Sequence, residues 1–285
     1  MRPVLKYRGG KLNEIKYFKK YIPKEFDTYI EPFVGGGAVF FYLEQKKNII
    51  NDINNKLMTF YKQLKYDYPR MRKELDYLQD VYDKNQSEYE AQKAVVGGDY
   101  VVNRNEELYY EMRHLFNYPN GKWLEGTVYF FINKTSYSGM IRYNAQGEYN
   151  VPFGRYKNFN TKLITDKHHE LLTRTEIYNT DFEKIFKMAK PEDFMFLDPP
   201  YHSATFHDYG NCIKSDENGF DESEHRRLAE AFKKLKCKAL MVIGETELIS
   251  ELYKDYIVDE YCKNYSVNIR NRFKNSAKHL IITNY

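Results

Sequence analysis

Phe194-Met195-Phe196-Leu197-Asp198-Pro199-Pro200-Tyr201 runs four apolar residues straight into a carboxylate, two prolines and an aromatic ring. A short unbroken apolar run reads as a strand buried on both faces. The prolines end it, because they fix their own φ and carry no N–H for the next rung of a ladder. The loop that follows therefore lies at a strand end, which is where open α/β sheets do their chemistry. A main-chain carbonyl there has no ladder partner, and it stands beside a carboxylate and an aromatic face. The three groups suit a planar amino group on a ring: Asp198 and the carbonyl of Pro199 accept its two hydrogens while Tyr201 stacks on the ring. An ordinary proline turn accounts for the same four residues equally well, so the rest of the chain has to decide.

Upstream, Thr28-Tyr29-Ile30-Glu31 reads as a strand, Pro32-Phe33-Val34 leads into Gly35-Gly36-Gly37, and residues 38–43 open an apolar helix. In a strand, glycine turn, helix unit the glycines let a ligand come against the backbone at the first turn of a doubly wound sheet. The spacing is that of neither the dinucleotide fingerprint nor the phosphate-binding loop. Asn48 to Asp52 is the second strand, and Asp52 ends it about 20 positions on, where nucleoside-binding folds place the acceptor for ribose hydroxyls. Asp52 serves equally well as the cap of a helix over 56–64. Before all of this, Lys6-Tyr7-Arg8-Gly9-Gly10-Lys11 sets two glycines among cations and an aromatic ring, either a loop for an anion or a flexible basic terminus.

Downstream the alternation continues. A strand over 176–179 reaches Asp181-Phe182, a helix covers 222–235, a buried strand covers 239–243, and the chain closes on Leu280-Ile281-Ile282-Thr283. Between the halves, residues 67–115 are charged and Tyr-rich, broken at Gly97-Gly98, with helical spacing at Met71, Leu75, Leu78, Val81 and Tyr82 and a solvated outer face. A helix over 127–134 then leads to residues 136–151, the second part of which reads as a hairpin that turns at 144–147. Arg142, Arg155 and Lys157 share a small stretch with Tyr137, Tyr143 and Tyr156, a ribbon fit for a DNA major groove or simply an exposed basic hairpin. Arg270-Asn271-Arg272-Phe273-Lys274 is a solvated turn or a phosphate clamp. The predicted division is a core of residues 1–66 and 162–285 with an insert at 67–161.

The 285 residues suffice for one large α/β domain with such an insert. Net charge is only +4, so a DNA-binding face must come from local clustering. The 28 Tyr, many beside Lys or Arg, keep nucleic acid among the candidates, because rings stack on bases while cations hold phosphates. Cys212, Cys237 and Cys262 are too scattered for a zinc site or a disulfide framework. No apolar signal core or membrane-length run is present, which predicts a soluble cytoplasmic protein. His169-Glu170-Leu171-Leu172-Thr173 starts like a metalloprotease helix but has Thr where the second His belongs, and reads as a solvated helix face.

Taken in order, Lys6 to Lys11, Glu31-Pro32-Phe33-Val34-Gly35-Gly36-Gly37, Arg142-Tyr143-Asn144 with Asn150-Val151-Pro152-Phe153-Gly154, and Asp198-Pro199-Pro200-Tyr201 resemble the Dam-like (D12 class, alpha group) DNA adenine N6-methyltransferases across nearly the whole chain. The resemblance implies a Rossmann-like sheet for S-adenosylmethionine carrying an inserted helical and β-hairpin target-recognition domain. It implies Tyr7, Lys11, Glu31, Phe33, Gly35, Asp52 and Asp198 at or near the cofactor, with Asp181 and Phe182 holding its adenine. Asp198, Pro199, Pro200 and Tyr201 would be catalytic, on an adenine turned out of double-stranded DNA. Lys6, Tyr137, Ser138, Arg142, Asn144, Pro152, Arg155, Arg270 and Arg272 would meet the DNA, Arg142 reading a guanine and Pro152 a thymine methyl in a short site such as GATC. No metal is implied, and a monomer is expected. Two departures stand out: Ser138 where many relatives carry Asn, and Gly244-Glu245-Thr246 where they carry a Ser-Asn-rich segment. Amino-group methyltransferases of RNA or of protein glutamine are the alternative, but they usually have Asn in place of Asp198 and lack the Arg142 hairpin. A silent DNA-binding homologue is the other, and the intact Asp198 and Tyr201 argue against it.

Overall fold

The computed structural model describes residues 1–7, 9–96, 101–202, 220–264 and 276–285. Arg8, Gly97-Gly98, Cys212 and the basic loop with Arg270 and Arg272 lie outside the described residues. Among those described, contacts divide the chain into two compact units, one carrying a sheet and the other made of Met1–Gly10 and Asn54–Thr173.

The sheet unit holds β1 (Tyr29–Glu31), β2 (Asn48–Asn51), β3 (Thr175–Tyr178), β4 (Phe194–Leu197), β5 (Lys238–Gly244), β6 (Ile257–Asn264) and β7 (Ser276–Thr283), in the order β3-β2-β1-β4-β5-β7-β6. The first five of that order are parallel, β7 is antiparallel to β5, and β6 is antiparallel to β7. All four residues of β4 are buried, as their unbroken apolar run predicts. After β1 the chain moves outward to β2 and β3 and then returns to the other side of β1 as β4. The strand order therefore reverses between β1 and β4, and the carboxyl ends of these two neighbours mark the crevice where such sheets bind ligands. The glycine turn leaves one of them and Asp198 the other.

Helices α2 (Ala38–Leu43), α8 (Phe182–Met188), α9 (Glu222–Lys233) and α10 (Glu247–Leu252) belong to this unit, with the short α1 (Ile15–Phe18) ahead of them. Leu228, Ala229 and Phe232 of α9, Ile185 of α8 and Ile249 of α10 pack in one core with Met195, Leu197, Met241 and Ile243. Burying each large apolar side chain contributes about 1.5–3 kcal/mol.

The helical unit holds α3 (Asn55–Tyr66), α4 (Tyr68–Val96), α5 (Arg104–Asn117), α6 (Glu125–Thr135) and α7 (Asp166–Thr173). The apolar run predicted over 127–134 is α6, buried nearly all round, so it forms the centre of this unit. Helix α3 packs against α6 and α7, and the ring of Phe60 stacks 5.9 Å from Tyr129 and 6.3 Å from Phe130. A Cβ on Gly126 would come within 3.2 Å of the Phe60 Cα and 2.8 Å of Met71, so glycine is what lets the two helices approach. The expected insert at 67–161 thus lies inside a larger helical unit that also takes in α3. Helix α7 corrects the reading of 169–173 as a solvated face: His168, Leu171 and Leu172 are buried, and the His169 ring stacks on Tyr68 at 4.7 Å. The paired leucines form an apolar stripe one turn wide, and the polar residues around them masked it.

Candidate active site and nucleic-acid face

At the end of β4 the Asp198 Oδ1 lies 2.6 Å from the Lys11 Nζ, with the two side chains 22% and 2% exposed. Burial pushes the Asp198 carboxyl above its ordinary value, and the Lys11 ammonium pulls it back. The same Nζ is 5.0 Å from the centre of the Tyr201 ring. Gly244, at the end of β5, lies under that ring, since a Cβ there would sit 3.2 Å from Tyr201 Cδ2. The buried His279 ring meets Tyr201 edge-on at 5.3 Å. Just beyond, His202 Nδ1 is 3.1 Å from the Thr246 hydroxyl, whose oxygen also caps α10 by accepting from Ile249 N–H at 3.3 Å. Gly244 and Thr246 therefore bed the chain at Tyr201-His202, just past Asp198.

At the end of β1, Glu31 is buried, and its Oε2 accepts from the Tyr29 hydroxyl at 2.7 Å and from Phe40 N–H at 3.1 Å. Burial, with the charge of Asp198 adding to it, pushes the Glu31 carboxyl up to about 8. In the turn, Gly35 and Gly37 take φ values of +47° and +68°, conformations that strain any side-chain-bearing residue. Gly35 N–H donates to Asp52 Oδ2 at 3.0 Å. Asp52 is not the helix cap: Asn54 caps α3, its side chain accepting from Leu57 N–H at 3.2 Å. Asn51, to which the sequence reading gave no role, donates to the carbonyls of Pro32 at 2.9 Å and Thr180 at 3.0 Å and accepts from Thr180 N–H at 2.9 Å. It stitches together the chain leaving β1, β2 and β3. Phe33 packs on Phe182 at 5.5 Å, and the Arg227 guanidinium covers the Phe182 ring at 4.3 Å. Asp181 caps α8 through Glu183 N–H at 2.9 Å and pairs with Arg227 at 3.0 and 2.7 Å, which holds its carboxyl below the usual range.

A second buried cluster was not foreseen. Glu14 Oε2 accepts from the Tyr261 hydroxyl at 2.5 Å and lies 3.1 Å from His279 Nδ1, while Oε1 accepts from Lys263 Nζ at 2.5 Å. Burial alone would raise Glu14, yet His279, Lys11, Lys263 and Tyr261 together hold it down to about 2. These partners come from α1's approach, β6 and β7, so no local pattern in the sequence could have announced them.

The helical unit gathers most of the residues expected to meet DNA. Lys6 exchanges main-chain hydrogen bonds with the Asn133 side chain at 2.8 and 2.7 Å, and its Nζ stands 3.9 Å over the Tyr156 ring. The Tyr156 hydroxyl accepts from Ser138 N–H at 3.1 Å, and Tyr137 N–H donates to the Pro152 carbonyl at 2.9 Å. Ser138 itself has φ +53°. Tyr137, Arg142, Pro152 and Arg155 are exposed. Arg155 pairs loosely with Glu106 at 3.6 Å, and Lys157 with Glu90 at 3.2 Å. The predicted hairpin forms, with Tyr143 bridging Tyr149. Asn144 builds its turn: the side-chain oxygen accepts from Gln146 N–H at 3.1 Å and Glu148 N–H at 2.8 Å. Tyr7 belongs to this unit rather than to the sheet, its carbonyl accepting from Gly10 N–H at 3.2 Å. Among the described residues no helix is long and apolar enough to cross a membrane, and no cluster of His, Cys, Asp and Glu is arranged to hold a metal ion.

Residues 7–269 match the family described as D12 class N6 adenine-specific DNA methyltransferase. The chain is 35% identical, over the full length of both, to the type II methyltransferase M.CviBI of Paramecium bursaria Chlorella virus NC1A. It is 33% identical to the type II methyltransferase M.MjaIII of Methanocaldococcus jannaschii, over 100% of this chain and 99% of that one. It is 28% identical to the DNA adenine methylase of Salmonella typhi, over 89% of this chain and 84% of that one. With a family match over most of its length and relatives aligned from end to end, this chain belongs to the D12 class N6 adenine-specific DNA methyltransferases.

Proposed function

We propose that this enzyme transfers a methyl group from S-adenosylmethionine to the exocyclic N6 of an adenine turned out of a short duplex sequence, with GATC the first sequence to test. The observation that carries this reading is the meeting of Asp198, Lys11 and Tyr201 at the end of β4, beside the glycine turn of β1. The donor set suits the cofactor. Asp52, just past the end of β2, would accept from ribose hydroxyls, Gly35 and Gly37 keep the turn bare of side chains, and Phe33 would offer a ring. Asp181 would be the farther anchor, through Arg227 and the ring of Phe182. When bound, the cofactor supplies a methyl group on a positively charged sulfur.

The protein's part is to make a poor nucleophile adequate. The lone pair of an adenine amino group is delocalised into its ring. An ionised Asp198 and the Pro199 carbonyl accept the two amino hydrogens, favour a pyramidal nitrogen and stabilise the positive charge that grows on it. The Lys11 ammonium, 2.6 Å away, opposes the rise that burial gives the Asp198 carboxyl and so favours its ionised form. Stacking on Tyr201 returns about 1–3 kcal/mol of the few kcal/mol that base extrusion costs. The insert at 67–161, through Tyr137, Ser138, Arg142, Asn144, Pro152 and Arg155, would form the target-recognition face together with Lys6 from the N-terminal segment, with Arg142 donating to a guanine and Pro152 touching a thymine methyl. Arg270 and Arg272 would add phosphate contacts. An RNA or protein-glutamine substrate is disfavoured by Asp at 198 and by the hairpin. Asp198→Ala is expected to abolish transfer from labelled S-adenosylmethionine to duplex DNA while leaving DNA binding nearly unchanged. A variant with near wild-type turnover would remove Asp198 from the chemistry.

A further inference from the structure

Arg142 is exposed at the hairpin, yet its guanidinium is not loose. Its Nε donates to the Asn150 side-chain Oδ1 at 2.7 Å, and Nη2 donates to the Asn150 main-chain carbonyl at 3.1 Å. One residue thus takes both donors along the side edge of the fork. A guanidinium has a second edge, at its end, where Nη1 and Nη2 each carry one outward hydrogen. That edge matches the paired acceptors O6 and N7 of guanine. Among the described residues no hydrogen bond is made by Nη1.

Asn150 is itself a fixed point. On one side of it Tyr149 is clamped to the end of α5, its N–H donating to Asn117 Oδ1 at 2.8 Å and its carbonyl accepting from Asn117 Nδ2 at 3.1 Å. On the other side the Val151 carbonyl accepts from the Tyr109 hydroxyl at 2.7 Å and from Arg113 Nη1 at 3.2 Å, both from α5. Tyr149 and Val151 are buried, and Asn150 N–H bonds back across the hairpin to the Arg142 carbonyl at 3.1 Å. The rigidity of α5 therefore passes through Asn150 to the tip of an exposed arginine. A side chain so held loses less rotamer freedom on binding, and its end edge arrives already oriented.

We propose that Asn150 is a positioning residue for sequence reading: it grips Arg142 by the side edge so that the end edge faces the base pair. This rests on the proposed reading of a guanine by Arg142, and the test separates the two. Wild type, Arg142→Ala, Asn150→Ala and Asn150→Asp are each given a duplex library holding the cognate site and every single base-pair change, and methylated sites are counted by sequencing at several salt concentrations. Arg142→Ala should level the rates at one base pair only. Asn150→Ala should reduce discrimination at that same base pair by about 3- to 10-fold, part of what a bidentate arginine contributes, with other positions unchanged. Asn150→Asp, which keeps the acceptor, should retain discrimination. If Arg142→Ala weakens all sites together, the guanine reading fails and the grip with it. If Arg142→Ala is selective but Asn150→Ala lowers all sites equally, with a shallower salt dependence, Asn150 holds a phosphate or the fold and the grip alone is refuted.

Discussion

Asp198 accepts from an amino group most strongly when it is ionised, and its burial at a strand end opposes that. Burial raises its carboxyl, and the Lys11 ammonium at 2.6 Å is the main opposing influence. Lys11→Met removes the lowering, so the carboxyl climbs further and the acid limb of kcat/KM against pH should move to higher pH. An unmoved limb would show that Lys11 does not set the charge of Asp198. Glu31 gives a different signature, in stability. Its ordinary value is 4.5 and its folded value about 8, so between those pH values the folded chain holds a proton that the unfolded chain has released. The contribution is full below 4.5 and is lost as pH rises through about 8. Tm of the wild type should therefore fall over that window, by an amount equivalent to a few kcal/mol at most, while Glu31→Gln should show a flatter course. Equal slopes would mean that Glu31 is ionised in the folded protein. Asp52→Ala should weaken S-adenosylmethionine binding by about 1.5–3 kcal/mol, the cost of a lost hydrogen bond to a charged group. Calorimetry giving an unchanged affinity would leave Asp52 only its bond to Gly35 N–H.

Strands and turns differ in how far the sequence announces them. β4 was legible because a strand covered on both faces shows as a continuous apolar run that prolines end, β1 because Pro32 and the three glycines follow it, and β2 from its paired isoleucines ahead of Asp52. β6 was not, since Asp259, Glu260 and Lys263 interrupt it: it is the edge of the sheet, where charged residues guard an open ladder. The candidate site divides the same way. Lys11, Glu31, Gly35, Asp52 and Asp198 sit in motifs that single them out by residue type, and the structure sets them at or near the ends of β1, β2 and β4. Glu14, His279, Tyr261 and Arg227 were invisible because each acquires its meaning only from partners far away in the chain. Asn51 is the clearest case, an ordinary strand-end residue whose side chain joins three chain segments. Asn51→Ala leaves those main-chain groups without their partners at about 1–3 kcal/mol for each that stays buried. Urea unfolding should register a destabilisation in that range, and a variant as stable as wild type would show that water replaces the amide.

Over the molecule as a whole, a net charge of +4 is too small to hold DNA by itself, so on the proposed reading affinity comes from cations and rings clustered in the helical unit, and chemistry from the strand ends of the sheet unit. The family establishes an adenine-specific DNA methyltransferase, and the account of how this chain works stands on Asp198 acting on an amino group supplied by duplex DNA. The direct measurement is to incubate the protein with S-adenosylmethionine carrying a deuterated methyl group and equal amounts of duplex DNA, single-stranded DNA, RNA and bulk protein, then to digest each polymer and find the label by mass spectrometry, with Asp198→Ala alongside. The predicted result is labelled N6-methyldeoxyadenosine from the duplex, at one short sequence, and none from the variant. Label on RNA, on glutamine or on another base, or equal label from the Asp198→Ala protein, would contradict it.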